Sequence, residues 1–244
     1  MKRYKITVQY DGTDFCGWQY QPNGVSVQEC LTNAFLKISN QASITASGRT
    51  DSGVHARCAV CHVDSDTTTP TDKIPKAVNC HLPDSIAVLS AEEVGEEFHA
   101  RYSAKRKTYV YHFYVSENKL PLRERYCVRL DKMPDISLMK LGAEKMVGKH
   151  DFKCFLASGS SVENTEREIY FIDVEQNGID LSIKVCGNGF LYNMVRIIAG
   201  TLLDVGYGKK SALDVEKAIR EKDRNLSGKT LPAKGLELFS VEYN

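Results

Sequence analysis

Ile44-Thr45-Ala46-Ser47-Gly48-Arg49-Thr50-Asp51-Ser52-Gly53-Val54-His55-Ala56 is the stretch around which the chain is organised. Ile44 to Ala46 has β character, and so does Ala59 to Val63 beyond it. The segment between them reads as a loop joining two strands, where a rigid scaffold presents working groups. Glycines at 48 and 53 bracket the loop and allow another backbone or a ligand to come close. Asp51 lies at its centre with Arg49 two residues before it. A carboxylate so placed can be held ionised and aimed into a cleft. Asp followed closely by Gly is also ordinary turn chemistry, so spacing alone leaves both readings open.

Upstream, Tyr4, Ile6, Val8 and Tyr10 alternate as a strand that ends at Asp11-Gly12. Trp18 follows in a loop and reads as a core anchor. Ser26-Val27-Gln28-Glu29 is a capping box, and Val27, Leu31, Ala34, Phe35 and Ile38 share one helical face. Downstream, a short helix spans about Asp72 to Cys80 and a strand Ile86 to Leu89. Tyr109 to Tyr114 is a strand with Tyr109, Tyr111 and Phe113 on one face. Residues from about 115 to 133 show no strong periodicity and read as a crossover. Asp135 caps a helix whose apolar positions are Leu138, Leu141, Met146 and Val147. His150-Asp151 reads as a structural turn, since adjacent side chains seldom converge. Ser158 to Thr165 is a polar loop. Two strands, Ile169 to Val174 and Ile179 to Val185, join through Asn177-Gly178 as a hairpin. Val195, Ile198, Leu202 and Val205 mark a helix containing Arg196. Ser211 caps another helix, and a strand near Leu236 to Val241 ends the pattern. Both halves, 1–116 and 117–244, mix antiparallel strands with one or two helices, which is α+β rather than a strict βαβ alternation.

The 244 residues suffice for one large or two small domains. With 42% hydrophobic and 26% charged residues, the composition is that of a soluble globular protein. No apolar run approaches a membrane span, and Met1-Lys2-Arg3-Tyr4 leads straight into a strand pattern, so no membrane partner and a cytoplasmic location are expected. A net charge of +1 leaves room for a localised basic groove. Eight cysteines without an export signal are expected as thiols. Cys58-x-x-Cys61-His62 matches a haem-attachment pattern and half a zinc site. A strand there sends residues 58 and 61 to opposite faces, and no second pair follows at zinc spacing, so no metal is expected.

Gly48-Arg49-Thr50-Asp51-x-Gly53-Val54-His55 resembles the signature loop of the tRNA pseudouridine synthase A family, with Ser52 where that family's pattern has Ala. Tyr10-Asp11-Gly12, Gly17-Trp18-Gln19, Phe98 to Ala104, and Met194-Val195-Arg196 with Gly200 and Gly206 are similar to further stretches of it. The resemblance implies two ferredoxin-like α+β halves with joined antiparallel sheets and a central catalytic cleft. It implies isomerisation of uridine to pseudouridine on the 3′ side of the tRNA anticodon stem-loop, by a homodimer. Asp51 is then the catalytic nucleophile and Arg196 the basic residue paired with it. That pairing would offset the desolvation that raises a buried carboxylate's pKa.

The isomerisation involves no redox change and no group donor, so no cofactor is expected. A stacked base is out of reach, so the target must flip into a pocket. Tyr109 offers a ring to stack on the base and a hydroxyl for proton handling. Arg49 is placed to hold the flipped backbone open. Arg57, Arg101, Lys105, Arg106 and Lys107 are candidates for phosphate contacts, the last three lying beside a row of aromatic residues. Two alternatives stay open: an RNA N-glycosylase or ribosyl transferase using the same carboxylate, and a non-catalytic RNA-binding module.

Overall fold

The computed structural model describes residues 1–160 and 162–243. Contacts divide the chain into two units, Met1–Lys105 with Leu238–Asn244, and Arg106–Glu237. The division thus falls ahead of the aromatic strand, where the sequence reading put it near 116/117, and the chain's end returns to the first unit.

In the first unit, β1 (Lys2–Tyr10) lies between β3 (His55–Ser65) and β4 (Ile86–Val94), antiparallel to both. Tyr4, Ile6, Val8 and Tyr10 are buried, as the alternation requires. Helix α1 (Val27–Phe35) buries Val27, Leu31, Ala34 and Phe35. Ser26 Oγ accepts the Glu29 amide at 3.2 Å, capping the helix start. Strand β2 (Ala42–Ala46) pairs with Cys61–Ser65 of β3. Helix α2 (Ile74–Asn79) follows a single turn of 3₁₀ helix, Thr71–Lys73. Strand β3 carries both Cys58 and Cys61; Cys61 is fully buried, and burial pushes its thiol up to about 12.

In the second unit, β5 (Arg106–Val115) pairs with β9 (Asp180–Gly187), which pairs with β8 (Glu166–Asn177), and that with β7 (Gly148–Asp151). A short strand β6 (Val128–Leu130) runs parallel to β5 in the stretch read as a crossover. The β8–β9 hairpin turns one residue later than expected: Asn177 still pairs with Asp180, and Gly178 takes the positive φ of 58°. Helix α3 (Ile136–Glu144) is capped by Asp135, but its buried face is Met139, Gly142 and Ala143. Leu138 and Leu141, expected inside, are exposed. Helix α4 (Met194–Gly206) buries Val195, Ile198, Leu202 and Val205 as read. Helix α5 (Ala212–Glu221) starts at Ser211, and the reciprocal capping box forms there with Asp214. Asp151 is a structural carboxylate, taking Lys222 at 2.8 Å and the Thr165 hydroxyl at 2.5 Å. Of the polar loop over Ser158–Thr165, Ser161 lies outside the described residues.

The last strand, β10 (Leu236–Glu242), lies against β3. One edge of β3 is taken by β1, and β2 covers residues 61–65 of the other. The free part of that edge, next to the loop before β3, is where β10 fits. Both units are α+β, as expected. Among the described residues no helix is long and apolar enough to cross a membrane.

Candidate active site

Asp51 occupies the connection between β2 and β3, with no regular structure of its own. The segment Tyr10–Trp18 clamps this connection. Buried Tyr10 Oη and Thr50 Oγ1 share a hydrogen bond of 2.8 Å. The Trp18 amide donates to Thr50 O at 3.0 Å, and Ser52 Oγ donates to Phe15 O at 3.2 Å. The Gly12 amide donates to Nδ1 of buried His55 at 3.1 Å, and Asp11 lies 3.2 Å from the same nitrogen. Two glycines make this approach possible. A Cβ at Gly12 would overlap the Val54 carbonyl, and one at Gly17, whose φ is +105°, would lie 2.7 Å from Thr50 O. Inside the loop, the Val54 amide donates to Asp51 O at 3.1 Å, and Gly53 takes a φ of 76°. The Asp51 side chain is half-buried. Trp18 is buried, its ring 6.1 Å from that of Tyr10, so it braces the clamp from the core.

Arg49 is exposed on the same loop. Arg57, exposed on β3, lies over the Phe239 ring of β10 at 5.3 Å. Arg101 is exposed on a turn before β5. Lys105 is exposed too, and its amide donates to Glu242 O at 2.8 Å.

The second unit holds the remaining candidates. Arg106 opens β5 with its guanidinium 5.0 Å from the Tyr170 ring, a cation–π contact. Lys107 pairs across to Gly187 and Tyr109 to Val185. The Tyr109 ring meets Phe190 edge-on at 5.1 Å. Arg196 lies in the first turn of α4. Its Nε donates to Leu231 O at 2.7 Å and its Nη1 to Asn193 Oδ1 at 2.5 Å. Asn193 adopts the left-handed conformation, φ 60°, one of two non-glycine residues to do so among those described. That conformation ends the glycine-rich approach and starts the helix. Burial pushes the nearby Tyr111 hydroxyl up, with the positive charge of Arg196 opposing. Arg196 is therefore a fixed side chain, not one that trails along the surface to reach water.

The clamp partners Tyr10, Thr50 and His55, and the Arg196 partner Asn193, went unassigned in the sequence. For Asn193 a signal existed: Asn is the non-glycine residue best suited to a left-handed position before a helix.

The sequence profile described as tRNA pseudouridine synthase matches residues 6–103 and 143–244, stretches that contain Asp51 and Arg196 but not Tyr109. The chain belongs to the tRNA pseudouridine synthase family. It is 43% identical to the tRNA pseudouridine synthase A of a Thermoanaerobacter species over 244 residues, all of both chains. It shares the same identity, again over all of both chains, with that of Clostridium botulinum. With that of Halalkalibacterium halodurans it is 44% identical over 238 residues, 97% of this chain and 90% of the relative. A solved Cbf5-Nop10-Gar1 complex contains a chain that is 14% identical at a TM-score of 0.37, covering 82% of this chain and 54% of that one, a likeness too distant to carry weight.

Proposed function

We propose that this protein isomerises uridine to pseudouridine in the anticodon stem-loop of tRNA, with Asp51 as nucleophile. The observation that carries the reading is full-length identity of 43% to tRNA pseudouridine synthases A, joined to an Asp51 loop that the Tyr10–Trp18 segment clamps through side-chain and peptide groups. Clamping suits a nucleophile, because a reacting group must be held in one geometry to be effective. In the reaction the N1–C1′ bond breaks, the base turns while held, and C5 bonds to C1′. The proton leaves C5 and N1 gains one, so atoms balance without donor or oxidant. Arg196 is the cation that the family resemblance assigns to the same reaction, and Tyr109 the ring that stacks on the base. Arg49, Arg57, Arg101, Lys105, Arg106 and Lys107 position the RNA through its phosphates. The enzyme works in the cytoplasm as a homodimer.

The test is incubation of purified protein with unmodified tRNA, followed by carbodiimide mapping and mass analysis. Pseudouridine on the 3′ side of the anticodon stem with unchanged RNA mass is the expected result. Base loss would mark a glycosylase. Binding with no change in the RNA would mark a non-catalytic module.

A further inference from the structure

His99 to Ser103 form a tight turn between β4 and β5. Its peptide groups are pinned from several sides. The Ser103 amide donates to His99 O at 2.9 Å, and the His99 amide to Ser103 Oγ at 3.0 Å. His99 Nδ1 accepts the amides of Arg101 and Tyr102, each at 3.2 Å. The Ala100 amide donates to Nδ1 of buried His62 at 3.1 Å, and Tyr243 Oη donates to Ala100 O at 2.8 Å. Arg3 Nη1 holds the Phe98 carbonyl just upstream at 3.0 Å. The backbone of this turn is therefore fixed.

Tyr102 is nonetheless 77% exposed. A single exposed aromatic on a loose loop means little. Here the ring is oriented. It lies 4.3 Å from the His99 ring at an interplanar angle of 30°, and His99 in turn meets His62 edge-on at 4.9 Å. One face of Tyr102 is thus covered by imidazole, at the end of a short pile of rings. The Arg101 guanidinium sits 5.8 Å from the Tyr102 ring, exposed, and no carboxylate pairs with it among the described residues. A rigid aromatic costs little conformational entropy to bind with, and a base adds to a ring whatever its identity. A cation beside the ring suits a nucleotide, which brings a phosphate with every base.

We propose that Tyr102 is a stacking platform for an unpaired base of the RNA substrate, with Arg101 taking the adjoining phosphate. This rests on the tRNA reading above. Tyr102 is a binding residue here, outside the chemistry.

The test uses the full chain and an unmodified tRNA transcript. Equilibrium binding is measured across a salt series, and single-turnover rates at saturating enzyme. Tyr102→Ala should weaken binding roughly 5- to 100-fold. The saturated rate should be kept, and so should the salt slope, because a ring releases no counterions. Arg101→Gln should lower that slope by about 0.7–0.9. Tyr102→Phe should bind like the unaltered protein. Emission from Tyr102→Trp should be quenched by tRNA, and the only native tryptophan, Trp18, is buried at 1% exposure. Normal tRNA affinity in Tyr102→Ala overturns the platform. A changed oligomeric state with unchanged affinity overturns it too, marking a protein contact. Binding without pseudouridine formation would defeat the isomerase reading alone, since affinity and quenching still report on stacking. No binding by the unaltered protein would defeat both.

Discussion

The loop around Asp51 and the start of α4 around Arg196 each carry one charged group, and the surroundings of the two are built differently. Around Asp51, its neighbours Thr50, Ser52 and His55 are tied to the Tyr10–Trp18 segment, whose peptide groups at Gly12, Phe15 and Trp18 each take part. At Arg196 they fall on the side chain, whose Nε and Nη1 each have a named acceptor. A carboxylate on a short stem is placed by placing its backbone. A guanidinium on a long stem must be tied at its end, because helical backbone alone leaves its rotamers free. Sensitivity to substitution should therefore differ: clamp residues matter around Asp51, and side-chain atoms matter at Arg196.

Four substitutions sharpen or break this contrast. Asp51→Asn should reduce pseudouridine formation to background while fold and tRNA affinity hold. The change is isosteric and removes only the charge. Turnover by a preparation checked for deamidation would remove Asp51 from the chemistry. Arg196→Met should lower the single-turnover rate by ~10²–10³-fold. It also leaves the Leu231 carbonyl and the Asn193 amide oxygen without their donor, at roughly 1–3 kcal/mol each where they stay dry. A fall in rate with no fall in melting temperature would show that those two bonds are incidental. Gly17→Ala leaves every charged group in place. Its φ of +105° and the 2.7 Å approach to Thr50 O should cost about 1–3 kcal/mol. The resulting shift of the loop should lower the rate by roughly 10- to 100-fold. Full activity in this variant would break the claim that the backbone clamp positions Asp51. Tyr10→Phe should be mildest. It deletes one buried hydrogen bond to Thr50, worth about 1 kcal/mol, or roughly 2–4 °C in melting temperature. Activity should fall only a few-fold, because the Trp18 amide still holds Thr50 O.

What the sequence disclosed follows the range of the forces involved. The strand–loop–strand around Asp51, the buried stripe of α1, the cap at Asp135 and the helix of Arg196 are set by neighbours within a few residues. All could be read. Strand β6 could not, because three residues show no period and their pairing to β5 is decided elsewhere in the chain. The face of α3 was misread for a related reason. Gly142 turns inward because the partner side chains of Leu202 and Val205 come within 3.2–3.4 Å of where its Cβ would stand. Close packing there selects a small residue, whereas a count of apolar residues selects Leu138 and Leu141. The hairpin was found from Asn177-Gly178, yet its tip sits one residue on, because cross-strand pairing continues through Asn177. At the candidate site the charged residues could be named, but not what holds them. Tyr10 and Thr50 lie forty positions apart, and nothing local in either announces the bond.

The return of β10 to the first unit has a consequence for how the chain is made. The part of the β3 edge that β2 leaves open is taken by a strand that follows the whole second unit in sequence. A nascent chain that has delivered β1 to β4 still lacks that strand until all of Arg106–Glu237 has emerged. At ~5–20 residues per second the wait is on the order of ten seconds. During it, an unpaired strand edge beside the Asp51 loop is open to pairing with another chain. The unit that starts first is thus completed only after the second has been made.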